Sequence, residues 1–252
     1  MVRRMCLLMS ALALAAALLP QPASAANELR RFALIAGAND GGETRIRLSY
    51  ADDDARSLQR VLAEMGGLDP RDTVLLEDPS VVALIQAFDQ VERMIGTATD
   101  SRTEVIFYYS GHSDDVGLLL GGQEYSYLDL RQRIQALGAD VRVAIVDSCS
   151  SGALTRSKGG GRRPAFLTDQ TASMEGHAFL TSSSASEAAQ DSDRLGASFF
   201  THHLVSRLRG AADSSGDGLV TLDEAYRTPL PPPLPPPSAL NSVPSTLATT
   251  ST

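Results

Sequence analysis

Short apolar runs alternate with amphipathic stretches along most of the chain. Arg31 to Ala38 reads as a first core strand. Ala51 to Met65 places Leu58, Val61, Leu62 and Met65 at helical spacing, opens on Asp52, Asp53 and Asp54 as a helix dipole prefers, and stops at Gly66-Gly67. Thr73 to Leu76 is a short strand, and Ser80 to Ile95 a second helix with Val81, Leu84, Ile85, Phe88, Val91 and Ile95 facing inward. Glu104 to His112 is again a strand. Val116 to Tyr127 reads as a hairpin turning at Gly121-Gly122, followed by a helix over Leu128 to Leu137. Val141 to Val146 (Val-Arg-Val-Ala-Ile-Val) is the next strand, Ala178 to Ser182 another, and Ser198 to Arg209 a last helix. Apolar runs this short, rich in β-branched residues, suit strands buried on both faces of a parallel sheet. Their alternation with helices predicts an α/β protein, a three-layer α/β/α sandwich with a mainly parallel sheet.

Two strands end in chemistry. The strand from Glu104 closes on Tyr109-Ser110-Gly111-His112, and the strand from Val141 closes on Asp147-Ser148-Cys149-Ser150-Ser151-Gly152. In an open α/β sheet, reactive groups gather in the crevice beyond the carboxyl ends of the strands. His112 and Cys149 are therefore the candidate catalytic pair. A thiol is a strong nucleophile when ionised, and an imidazolium beside it favours the thiolate. His177, which precedes a strand, and His202 and His203, within a helix, read as solvated or packed.

Composition refines this picture at the ends. Arg3 and Arg4, the apolar stretch Met5 to Leu19 and Ala23-Ser24-Ala25 form a secretory leader over residues 1–25. An exported protein is expected, periplasmic or extracellular. Of two cysteines, leader removal leaves Cys149 alone, which points to intermolecular pairing or a reactive thiol, the plainer alternative being a small buried residue at a strand end. Loss of two arginines moves the net charge from −8 to −10, which argues against nucleic acid as a partner. No later segment suits a membrane, and a monomer is expected. The predicted division is a leader (1–25), a catalytic domain (26–210), a short loop module (211–228) and a Pro-, Ser- and Thr-rich tail (229–252).

Several other functions are excluded. Gly37, Gly42 and Thr44 fit the phosphate-loop spacing, but Glu43 occupies the lysine position and would repel a phosphate. No G-x-S-x-G marks a serine hydrolase, and no Cys/His cluster suits zinc. The loop module does carry a specific pattern. Asp213, Ser215, Asp217, the Leu219 carbonyl, Thr221 and Glu224 fall on the ligand positions of a twelve-residue EF-hand loop, with Gly218 at its required glycine. A calcium ion is the cofactor this would hold. The alternative is a turn-rich loop whose aspartates cap their own backbone.

The two strand ends together resemble the caspase and metacaspase clan of cysteine peptidases, over about Arg31 to Arg209. The D-x-C-x-S-G form at Cys149 is similar to metacaspases and bacterial caspase-like proteins. The resemblance implies a caspase-like fold, a polypeptide substrate and chemistry that needs no cofactor. It implies Cys149 as nucleophile, His112 as proton shuttle, and the amides of Ser113 and Cys149 as the oxyanion hole. Asp147 matches the family's pocket aspartate and Asp54 resembles its partner, which implies cleavage after Arg or Lys. Asp52 to Asp54 read equally well as the start of a helix. Lys158, Arg162 and Arg163, in a Gly-rich loop, then become candidate self-processing sites. Two departures stand out: Ser113 where the family usually has glycine, and Ser150 where metacaspases often have histidine. Ser113, and the prolines after the calcium loop, leave open a second reading as a caspase-fold binding module that cleaves weakly or not at all.

Overall fold

The computed structural model describes residues 28–99, 101–148, 176–182, 191–192, 195–221 and 224–225. In chain order the elements are β1 (Leu29–Ala38), α1 (Ala51–Met65), β2 (Thr73–Glu77), α2 (Val81–Ile95), β3 (Arg102–Gly111), the hairpin β4 (Gly117–Leu120) and β5 (Gln123–Ser126), α3 (Tyr127–Ala136), β6 (Val141–Asp147), β7 (Gly176–Thr181), the small pair β8 (Asp191–Ser192) and β9 (Ala197–Ser198), and α4 (Phe199–Ser206). Five strands form one sheet in the order β2-β1-β3-β6-β7, every neighbouring pair parallel.

Alternate residues of the strands serve opposite faces. Phe32, Leu34, Val105, Phe107, Tyr109, Ala144 and Val146 meet Leu84, Phe88, Val91 and Ile95 of α2 and Leu130 and Ile134 of α3. Ile35, Ile106, Tyr108, Val143 and Ile145 meet Ala55, Leu58, Val61 and Leu62 of α1 and Leu204 of α4. The result is the expected α/β/α sandwich. The hairpin turns through Gly121 and Gly122, both left-handed (φ 58° and 81°), a conformation open to glycine at little cost.

The structure corrects some boundaries and faces. β1 starts at Leu29 because Leu29 and Arg30 pair with Arg102 and Thr103 of β3. Ile85 is 40% exposed; the inward stripe of α2 runs Leu84, Ala87, Phe88, Val91, so Ala87 replaces it. Met65, at the last turn of α1, is 59% exposed. Its place is taken by Leu68, folded back so that its amide donates to the Leu62 carbonyl. His177 lies within β7 rather than before it. Among the described residues no helix is long and apolar enough to cross a membrane.

Candidate active site

The carboxyl ends of β1, β3 and β6 stop together. Ser110 pairs with Gly37 on one side and Asp147 on the other. His112 follows Ser110 by two positions, and Cys149 follows Asp147 by two. Cys149 itself lies outside the described residues, as do Lys158, Arg162 and Arg163.

His112 is held from the β1–α1 loop. Its Nε2 lies 2.8 Å from the Ile46 carbonyl. A carbonyl only accepts, so Nε2 donates there and Nδ1 is the ring nitrogen outside that bond. Gly41 lies flat against the same ring; a Cβ there would collide with it. The loop is fastened at both ends. The Asn39 side chain accepts the Ala51 amide (2.8 Å) and donates to Asp52 (2.7 Å), while its carbonyl accepts the Leu48 amide (2.9 Å). Asp78 accepts the Asp40 amide (2.9 Å) and pairs with Arg47, and the Gly121 amide reaches the Asp40 carbonyl at 3.0 Å. The false phosphate loop of the sequence is thus the seat of the histidine.

Ser113 follows as a buried residue. Among the described residues Asp78 is the one non-glycine with positive φ, so the backbone at 113 does not demand glycine. The Ser113 hydroxyl donates to the Ser148 hydroxyl at 2.9 Å.

Beneath this edge lies a buried carboxylate pair. Asp54, from the first turn of α1, is 0% exposed and Asp147 is 2% exposed. The three acids that open α1 have separate fates: Asp52 takes Asn39, Asp53 pairs with Arg56 at 3.0 Å, and Asp54 turns inward. The amino end of α4 donates to both buried acids. The Ser198 amide donates to Asp54 (3.1 Å), its hydroxyl to Asp147, and the Thr201 hydroxyl to Asp147 (2.8 Å). Ser110 adds a bond to Asp54 (3.1 Å), and the Tyr108 hydroxyl meets Thr201 at 2.5 Å. Burial first, then the neighbouring Asp147 carboxylate, push the Asp54 pKa from 3.8 to about 7.

Sequence reasoning missed Asn39, Ile46, Ser110, Ser148, Ser198 and Thr201. Ser110 alone carried a signal, since it stands two residues before His112 on the same strand.

The loop from Asp213 has its carboxylates turned on its own backbone. Asp213 accepts the amides of Gly216 (2.7 Å) and Gly218 (3.0 Å), and Asp217 that of Leu219 (2.8 Å). Thr221 and Glu224 form a reciprocal capping box: the Glu224 amide donates to the Thr221 hydroxyl (3.2 Å) and the Thr221 amide to Glu224 (3.0 Å). Glu224 also accepts the Ser214 and Ser215 amides, closing the loop's two ends. These bonds, the Thr221 amide first, hold its pKa down at about 2. Among the described residues no group of three or more His, Cys, Asp or Glu side chains is arranged to hold a metal. Arg207, buried, moors the far end of the loop to α4 by donating to the Ala225 carbonyl (3.0 Å).

A family model described as the caspase domain (Peptidase_C14) matches residues 30–227. No curated protein sequence matches the chain. Among solved structures, caspase-1 of Spodoptera frugiperda is similar, with a TM-score of 0.54 and 14% identity over 76% of this chain and 77% of that one. At this identity the likeness carries the fold.

The buried acid sets a dependence on pH. Folded Asp54 keeps its proton to about 7, whereas an unfolded aspartate releases it near 3.8. Between these values unfolding releases a proton, so this group's contribution is full below about pH 4 and is lost as pH rises through about 7. Urea midpoints of Asp54→Asn should therefore gain on wild type across that window and hold a constant difference above it. A difference independent of pH would refute the assignment.

Proposed function

The chain belongs to the caspase-domain family of cysteine peptidases, and on that premise we propose that it is an exported cysteine endopeptidase cutting polypeptides after Arg or Lys. The observation that carries this reading is the anchoring of His112: with Nε2 on the Ile46 carbonyl, Nδ1 is the basic nitrogen at the end of the strand beside the one that leads to Cys149.

Cys149, as the thiolate, attacks the scissile carbonyl carbon. The amides of Ser113 and Cys149 receive the developing oxyanion. His112, protonated at Nδ1, gives its proton to the leaving amine, and an acyl-thioester remains. His112 then takes a proton from water, whose oxygen attacks the thioester; the C–S bond breaks, releasing the acyl product as the acid and restoring the thiolate beside protonated His112. That Ser113 sits in ordinary backbone space weakens the rival reading as a silent binding module, which drew support from the missing glycine.

Specificity follows from the pair Asp54 and Asp147. Two buried carboxylates close to one another favour a cation beside them. A guanidinium or ammonium from the substrate would replace donors now supplied by Ser198, Thr201 and Ser110. Arg and Lys reporters should be turned over at least tenfold faster than an Asp reporter. Asp54→Asn should cost about 30-fold or more in kcat/KM on the Arg reporter, from the ~2–5 kcal/mol lost when one partner of a buried charge pair is removed. Equal or faster cleavage after Asp would overturn the assignment.

Lys158, Arg162 and Arg163 then lie in a loop suited to the enzyme's own pocket. Intact-mass spectra should show wild type cut after one of these residues and Cys149→Ala uncut. Identical masses would end the idea.

The module at 213–224 is proposed to take calcium. Asp213, Ser215, Asp217, the Leu219 carbonyl, Thr221 and Glu224 would supply the oxygens, and Glu224 is fully ionised at neutral pH. Binding requires Glu224 to leave the amides it now accepts. Titration calorimetry should give a calcium heat that Glu224→Gln abolishes; no heat from wild type would leave the loop a self-capped turn.

A further inference from the structure

We propose that Ser113 and Ser148 are positioning residues of the peptidase, their hydroxyls latching the strand end that carries His112 to the strand end that leads to Cys149. The inference rests on the peptidase reading and adds to it a device built from this chain's own departure from glycine.

Ser113 and Ser148 are 2% and 1% exposed, and their hydroxyls meet at 2.9 Å. Each is the direct chain neighbour of one member of the catalytic pair. The latch extends to a third strand: the Ser148 amide donates to the Ser182 hydroxyl (3.1 Å), and the Ser182 amide to the Val146 carbonyl (3.1 Å). Ser148 is thereby held from the β3 side and from the β7 side. Tyr127, at the start of α3, closes a further side. Its hydroxyl is buried without a well-formed hydrogen bond of its own among the described residues. Burial raises its pKa, and the adjacent Ser113 and Ser148 hydroxyls hold that rise back.

Magnitudes separate positioning from stability. A hydrogen bond between two neutral hydroxyls contributes about 1 kcal/mol to folding. A displacement of about 1 Å between reacting groups costs up to about 100-fold in rate. Losing the latch should therefore be felt far more in catalysis than in unfolding.

The test uses the full chain carrying Cys6→Ser, which leaves Cys149 as its one thiol. Ser113→Ala, Ser148→Ala, the double variant and Ser113→Thr are compared on an Arg reporter and in the pH profile of Cys149 alkylation by iodoacetamide. Either single alanine variant should lower kcat about tenfold or more, leave KM within about twofold, and move the alkylation profile toward that of an unassisted thiol near 8.5. The double variant should be little worse than the singles, because each single already breaks the hydroxyl pair. Ser113→Thr, which keeps the hydroxyl, should retain most of kcat. A wild type with an activated thiol, beside alanine variants of unchanged kcat and profile, would overturn the latch and leave the peptidase standing. Additive losses in the double variant would do the same. A wild type that alkylates as an ordinary thiol and cuts no basic peptide would overturn the peptidase reading itself, and the latch with it.

Discussion

A buried parallel strand must satisfy its backbone on both sides, and β3 does so with β1 and β6 at a single register. Apolar layers cover both faces of these strands, so slippage would expose core on one side and crowd it on the other. That pairing determines where each chain leaves the sheet. Ser110 stands level with Gly37 and Asp147, so the segments that follow, with His112 on one and Ser148 on the other, start from a common line. The sandwich does no chemistry itself; it holds three departing chains at a constant spacing.

The edge of the sheet combines a rigid frame with electrostatic tension. Asp54 and Asp147 sit below it and accept from amide and hydroxyl donors of α4 and β3. Neutral donors offset part of the desolvation, and protonation of Asp54 relieves the rest. A core designed for stability alone would place apolar residues here. Two acids are retained here, at the carboxyl edge of the sheet, in place of such residues.

Most of the frame was legible from the chain, and for a physical reason. Strands buried on both faces need continuous apolar runs, and α1 and α2 need stripes at a helical period; both leave patterns within a dozen residues. The errors at Ile85 and Met65 arise where a stripe is wider than the surface it covers. His112 and Cys149 stand out as candidates in the sequence because each closes such a run. The supporting residues were not. Ser198 lies 144 positions from the carboxylate it serves, and nothing near it announces that partner. Ile46 acts through its carbonyl, which every residue has. Ser113 was visible as a departure, yet what its hydroxyl touches depends on a strand 35 positions away. The three acids of α1 were indistinguishable in sequence, because the bend of the β1–α1 loop decides which one turns inward.

Gly41 imposes a further restriction. With the imidazole of His112 packed on its Cα, no larger residue fits without pushing the ring off the Ile46 carbonyl. Larger side chains are consequently accommodated only on its outer rim, where Glu43 and Arg45 face water. A rim free to change around a hub that cannot lets the outer surface of the loop be altered without moving the imidazole it holds.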